Sequence, residues 1–205
     1  MAAVPDGSAD VQVAPVDPDH ADVVSQVIAE AFAELAVVGW LVPEPTARPN
    51  VLLADFRIFV DHAFEHGEVH ATPDLDAVAL WFPLDGDPLP EPRDYQRRLT
   101  DAVGGWVDRF RVLDELLETN HPTEPHHHLA FLAVRPDRQG NGLGSALLRH
   151  HHARLDRAGT PAYLEASSPA SRDLYLRHGY HLRGEPFTVP DGTPFWPMWR
   201  EPSSG

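Results

Sequence analysis

Gly140, Gly142 and Gly144 stand alternately between Gln139 and Ser145, where an apolar run, Leu129 to Val134, passes into an amphipathic one beginning at Leu143. Chemistry at such a place comes from the main chain. The first N–H groups of a helix have no internal partner and lie at the positive end of its dipole, so they hold a phosphate or pyrophosphate without a lysine. Glycines let the backbone approach the anion closely and take up conformations a side chain forbids. A phosphorylated ligand is therefore expected. Two familiar glycine loops fit poorly. A P-loop ends in Gly-Lys-Ser/Thr, whereas Gly142-Leu143-Gly144-Ser145 contains no lysine. A dinucleotide fingerprint needs Gly-x-Gly-x-x-Gly near the first strand, but the sixth position from Gly140 is Ser145, late in the chain.

Other side chains could carry protons. Glu165 falls in the strand-like run 162–166 and, by alternation, shares a face with Tyr163 opposite Leu164. It is a candidate general base acting through water, with a structural carboxylate inside the sheet as the competing reading. Glu30 and Glu34 are further acids on the first predicted helix. Histidine occurs in two triplets, 126–128 and 150–152. Adjacent residues point to opposite faces of a strand and diverge by about 100° on a helix, so these triplets do not converge and no metal site is expected. His126 or His128, at the mouth of a strand, could shuttle a proton. The chain has no Cys, which excludes disulfides and thiolate catalysis.

The glycine run also satisfies a third pattern. Gln139-Gly-Asn-Gly-Leu-Gly144 follows Q/R-x-x-G-x-G/A, preceded by Leu-Ala-Val-Arg-Pro, and Tyr163 to Tyr180 reads as a strand and helix ending Tyr175-x-x-x-Gly179-Tyr180. With these two linked motifs the chain resembles the GNAT superfamily of acyl-CoA-dependent N-acyltransferases, specifically from about His126 onward. Tyr163-Leu-Glu-Ala-Ser167, the strand Ala77–Phe82 and the closing Phe195-Trp-Pro-Met-Trp-Arg200 look most like the puromycin N-acetyltransferase-like branch, which concerns scaffold and cosubstrate, not the acceptor.

The resemblance implies acetyl-CoA as cosubstrate, no metal, and transfer of acetyl to a primary amine of a small molecule by direct attack in a ternary complex. It implies that Gln139, Gly140, Asn141, Gly142, Leu143, Gly144 and Ser145 hold the pyrophosphate, with Arg138 adding charge. It implies that Leu132, Ala133 and Val134 pair with the pantetheine arm like another strand. A main-chain N–H near Ala133 would face the thioester oxygen, worth ~3 kcal/mol if aimed at an oxyanion. Ser171 stands where many relatives carry an Asn against the pantetheine. Tyr175 is the implied general acid for the leaving thiolate, its phenol being protonated at neutral pH with a pKa near ~10. The alternatives are a non-catalytic CoA-binding regulatory module on the same fold and acetylation of a protein or peptide amine.

Around these residues an α/β architecture is expected: a GNAT fold with a mixed, mostly antiparallel seven-stranded sheet flanked by helices, its central strands splayed for CoA. The 205 residues, 42% hydrophobic with five Trp, suit a single domain over 11–200 with a helical insert at about 93–119, a disordered N-terminus at 1–10 and a flexible tail at 201–205. Helices are expected from Asp19 to Phe32, from Asn50 to His66, from Leu143 to Ala158 and over 169–178. Strands are expected at 11–16, 68–72, 77–82, 129–134, 162–166, 181–189 and 194–200. No run approaches ~18 apolar residues and no secretory signal is present, so a cytoplasmic protein without a membrane partner is expected. The net charge of −15 argues against a nucleic-acid partner. A monomer or homodimer is expected.

Overall fold

A computed structural model describes residues 11–85 and 89–203. Asp17 caps a short turn at 18–20 that leads into helix α1 (Ala21–Phe32), whose Val24, Val27 and Ile28 recur at helical spacing and are fully buried. A six-residue helix α2 (Ala36–Leu41) follows, then α3 (Arg48–His66), started by Pro49 in its first turn. Strands β1 (Ala14–Pro15), β2 (Glu68–Ala71) and β3 (Ala77–Leu84) open the sheet. Helices α4 (Tyr95–Val103) and α5 (Val107–Asn120) form the insert, hinged at Gly104 and Gly105. Then come β4 (His126–Val134), α6 (Leu143–Ala158), β5 (Ala162–Ala166) and α7 (Pro169–Arg177). The chain closes with β6 (His181–Leu182), β7 (Phe187–Thr188) and β8 (Pro194–Arg200).

The seven strands of the main path run β1-β2-β3-β4-β5-β8-β6, and β7 adds an eighth by pairing with the start of β8. Every pairing is antiparallel except β4 with β5. The sheet is buried on both faces, so β3 reads as a nearly continuous apolar run. On one face Leu80 and Phe82 pack with Val24, Ile28, Leu52, Leu99 and Phe110 from the N-terminal helices and the insert. On the other, Trp81, Leu129 and Leu164 pack with Leu147, Leu148 and Leu155 of α6.

Three expectations shift. Strand β4 begins at His126, because the histidines pair with Pro83 and Leu84 of β3 and extend the ladder. The single strand expected over 181–189 is two short strands, divided where Gly184 takes φ +78°. Helix α2 was not expected, since Gly39 weakens it; burial of Val37, Val38 and Leu41 supplies what propensity lacks. The tail is tied at its start: Trp199 Nε1 donates to Glu201 and the Ser203 amide donates to Asp156 (2.8 Å). The expected disordered N-terminus at 1–10 and residues 204–205 lie outside the described residues. Among the described residues no helix is long and apolar enough to cross a membrane.

The second histidine triplet belongs to this core. His151 is 1% exposed and stacks on Trp81 at 3.9 Å, and His152 bonds Tyr180. Burial lowers His151 to about 2 and His152 to about 3, helped by Arg154 and Arg200 respectively. Both therefore hold fewer protons folded than unfolded at any pH between about 3 and their ordinary 6.5. Stability rises with pH across that window and is lost on acidification, by about 1.4 kcal/mol per pH unit for each group. Denaturant unfolding at pH 7 and pH 5 should show this loss, and His151→Phe, which keeps the stack, should make the decline shallower. An unchanged slope would assign the acid sensitivity elsewhere.

Candidate active site

The site begins where two parallel strands stop pairing. Strands β4 and β5 are matched only at His127 with Ala162 and His128 with Tyr163, although β4 continues to Val134 and β5 to Ala166. Just past the last pair, Leu80 of β3 faces Phe131 while Trp81 faces Leu129, so Ala130 is an inserted, bulged residue. A bulge bends its strand and increases twist. Here it coincides with the point at which β4 parts from β5, opening a wedge whose edges carry main-chain groups without a neighbouring strand.

The wedge leads to the start of α6. A short turn at 136–138 follows β4, and the chain then passes through Gly140 and Gly142, both at φ +78°, which an L side chain rarely adopts. Gly142 is the N-cap residue and no side chain bonds to the cap, so the first N–H groups of this 16-residue helix remain available to a ligand. Gly144 seats the helix against β4: a Cβ there would lie 3.6 Å from Val134 and 3.7 Å from Leu132.

A cleft of about 700 Å³ joins the two features. Of the residues singled out from sequence, Glu30, Glu34, Leu132, Val134, Arg138, Gln139, Gly140, Gly142, Leu143, Gly144, Ser145, Ser171 and Tyr175 line it. Three do not. Ala133 turns its methyl into the core beside α1 and α3, leaving its main chain as its contribution. Asn141 turns back, its Nδ2 donating to the carbonyl of Arg138 (3.0 Å), so it braces the loop. Glu165 lies outside it, against His128 of β4 and His121 at the end of α5. The Arg138 guanidinium is engaged by Asp76 at 2.9 Å, so much of its charge is already matched. Ser171 completes a capping box with Ser168, and its hydroxyl donates to the Ser168 carbonyl. Phe32, Leu35, Ser167 and Leu174 also line the cleft and were not anticipated. Motif spacing could not reveal them, because they reach the wedge through tertiary packing of α1 and α7.

Tyr175 projects from α7 into this cleft and is 8% exposed. Burial raises its phenol above the ordinary value, so it stays protonated through the neutral range. The same desolvation raises the proton affinity of any thiolate formed beside it, which preserves the phenol as a donor.

Glu165 does share a face with Tyr163, as alternation required, and that face looks toward the insert. Its Oε2 accepts from His128 Nε2 (3.0 Å), and its Oε1 lies 3.6 Å from His121 Nδ1 at the end of α5. Burial pushes the carboxyl upward, but His128 and His121 outweigh that and hold it at about 2. A carboxylate so weakly basic and outside the cleft does not suit the general-base role expected for it; it is a buried, paired acid. His126 belongs to the same group, with Nδ1 donating to the Glu124 carbonyl and Nε2 3.2 Å from His121 Nε2. The spacing argument against convergence overlooked that His126 and His128 are two apart, and so share a face, while His121 and Glu165 arrive from other elements.

Parted central strands, a glycine turn and an open helix N-terminus together define the GNAT fold. Residues 107–182 match the family model described as acetyltransferase (GNAT) domain. The structure is similar to one described as histone acetyltransferase HPA2 and related acetyltransferase from Corynebacterium glutamicum, 28% identical, with 95% of this chain and 97% of that one covered and a TM-score of 0.65. It is also similar to arylalkylamine N-acetyltransferase 2 from Aedes aegypti (15% identical, 94% and 99% covered, TM-score 0.58). A third similar structure is the ribosomal-protein-S18-alanine N-acetyltransferase from Escherichia coli (17% identical, 95% and 95% covered, TM-score 0.55).

If the turn is a cradle for a diphosphate, strain there must cost affinity. Gly142→Val places a side chain at φ +78°, a conformation costing roughly 1–2 kcal/mol, and should weaken CoA binding on the order of tenfold by calorimetry. Gly159→Val carries a similar strain at φ +67° at the far end of α6 and should leave CoA affinity unchanged. Equal effects of the two would remove the cradle.

Proposed function

We propose that the chain is an N-acetyltransferase that moves the acetyl group of acetyl-CoA to a primary amine of a small molecule, by direct attack in a ternary complex. The observation that carries this reading is the continuous path from the gap between β4 and β5 to the open N-terminus of α6. The main chain from Gln139 to Ser145 would hold the diphosphate, with little help from side chains, since Asn141 and Ser145 are engaged within the protein. Leu132 and Val134 would flank the pantetheine arm, while the free edge of β4 supplies main-chain partners to it. A neutral amine attacks the thioester carbonyl carbon, the C–N bond forms as the C–S bond breaks, the Tyr175 hydroxyl protonates the departing sulfur, and the proton shed by the amine nitrogen passes to water, from which the phenol is restored.

The insert supports a small acceptor. Arg109 of α5 donates to the Trp40 carbonyl of α2, and His121 at the end of α5 meets Glu165 of β5, so α5, the second helix of the insert, is fastened at both ends across one face of the sheet. The closing Phe195-Trp-Pro-Met-Trp-Arg200, whose residues resemble the puromycin N-acetyltransferase-like branch, forms the buried strand β8.

Tyr175→Phe should lower kcat by roughly 10²- to 10⁴-fold while CoA affinity stays close to that of the parent chain. Thioester turnover measured against a panel of primary amines and amine-terminated peptides reads both the acid and the acceptor class. Undiminished turnover in the variant would remove Tyr175 as the acid. CoA binding without turnover on any amine would make the chain a binding module instead.

A further inference from the structure

His121, His128 and Glu165 come from α5, β4 and β5, three elements far apart in sequence, and each presents one ligand atom within 4.8 Å of the others. We propose that these three residues bind a divalent transition-metal ion of the zinc type, which would pin the end of the insert to the two central strands.

The donor atoms stand close enough together for an ion, which would displace the proton that His128 Nε2 now donates to Glu165 Oε2. His128 Nε2 and His121 Nδ1 lie 3.0 and 3.6 Å from the two oxygens of Glu165. Ligand atoms about 2.0–2.1 Å from a tetrahedral zinc are separated by roughly 3.3 Å, and two histidines with one carboxylate are an ordinary zinc set that leaves a fourth position open.

Hydrogen bonding already orients one ligand. His126 donates Nδ1–H to the Glu124 carbonyl, so its Nε2 is an acceptor and takes the Nε2–H of His121. When neutral, His121 therefore turns its Nδ1 lone pair toward Glu165 Oε1, a buried oxygen with no hydrogen-bond partner among the described residues. Two acceptors facing each other call for a cation between them, either a second proton on His121 or a metal ion, and the convergence of His128 on the same carboxylate favours the metal. The Glu165 side chain is 7% exposed, whereas His121 and His128 are 24% and 20% exposed, so the carboxylate is desolvated while an ion retains access. A second group, Glu68, His70 and His151, is less suited, because Arg154 already places a positive charge on Glu68.

The proposal does not rest on acetyl transfer, and its test uses no substrate. The full chain, stripped with a chelator and dialysed against Zn²⁺, should retain one zinc per chain by elemental analysis and show one site by calorimetry. Co²⁺ should give the intense visible absorption of a tetrahedral site. His121→Ala and Glu165→Gln should each weaken zinc binding by at least about tenfold, whereas His70→Ala should leave it unchanged. Circular dichroism checks folding, and the near-isosteric Glu165→Gln covers the case in which His121→Ala does not fold. Zinc binding that is absent, or undiminished in the folded variants, would overturn the site. So would NMR showing His121 protonated on both nitrogens in the presence of saturating Zn²⁺.

Discussion

The separation of β4 from β5 is the constraint on which the remaining architecture depends. Parallel neighbours ordinarily continue their ladder until one strand ends, because every unpaired buried amide costs free energy. Here pairing stops after two residues, with Ala130 bulged beside the point of departure. The strands are then kept apart from both sides. Leu132 and Val134 rest on the first turn of α6, while β5 stays bonded to β8 along its full length. The gap is therefore a property of packed elements and does not rely on a flexible loop.

From that gap follows a division of labour between the faces of the sheet. The α6 and α7 side carries the glycine turn, Tyr175 and the dense layer around Trp81, with buried neutral imidazoles acting as ordinary packing groups. The opposite side carries α1, α3 and the insert, and its polar group gathers around Glu165. The bulge makes the division uneven. Ala130 and Phe131 both pack toward the N-terminal helices, so alternation on β4 resumes one residue out of step and sends Leu132 and Val134 into the cleft.

Much of this was legible in the residues. The turn at 139–145, both bounds of α6, strand β5 and the α4–α5 insert followed from glycine placement and periodicity, which are local signals. The face shared by Glu165 and Tyr163 followed from simple alternation. What escaped was set by distance in sequence. No spacing rule brings His121 to Glu165 across 44 positions, links Arg138 to Asp76, or announces that Asn141 and Ser171 spend their polar groups on their own backbone. Helix α2 escaped for a related reason: its stability lies in the core it covers.

The free edge of β4 has one more consequence. Unpaired strand edges invite other chains to dock and are common starting points for aggregation. This one is recessed at the bottom of a cleft walled by Phe32 and Leu35 on one side and Leu174 and Tyr175 on the other. A foreign strand must bring its own neighbours and side chains past those walls, whereas a slender unbranched molecule need not. The same walls thus favour a narrow guest over a second copy of the chain at this edge.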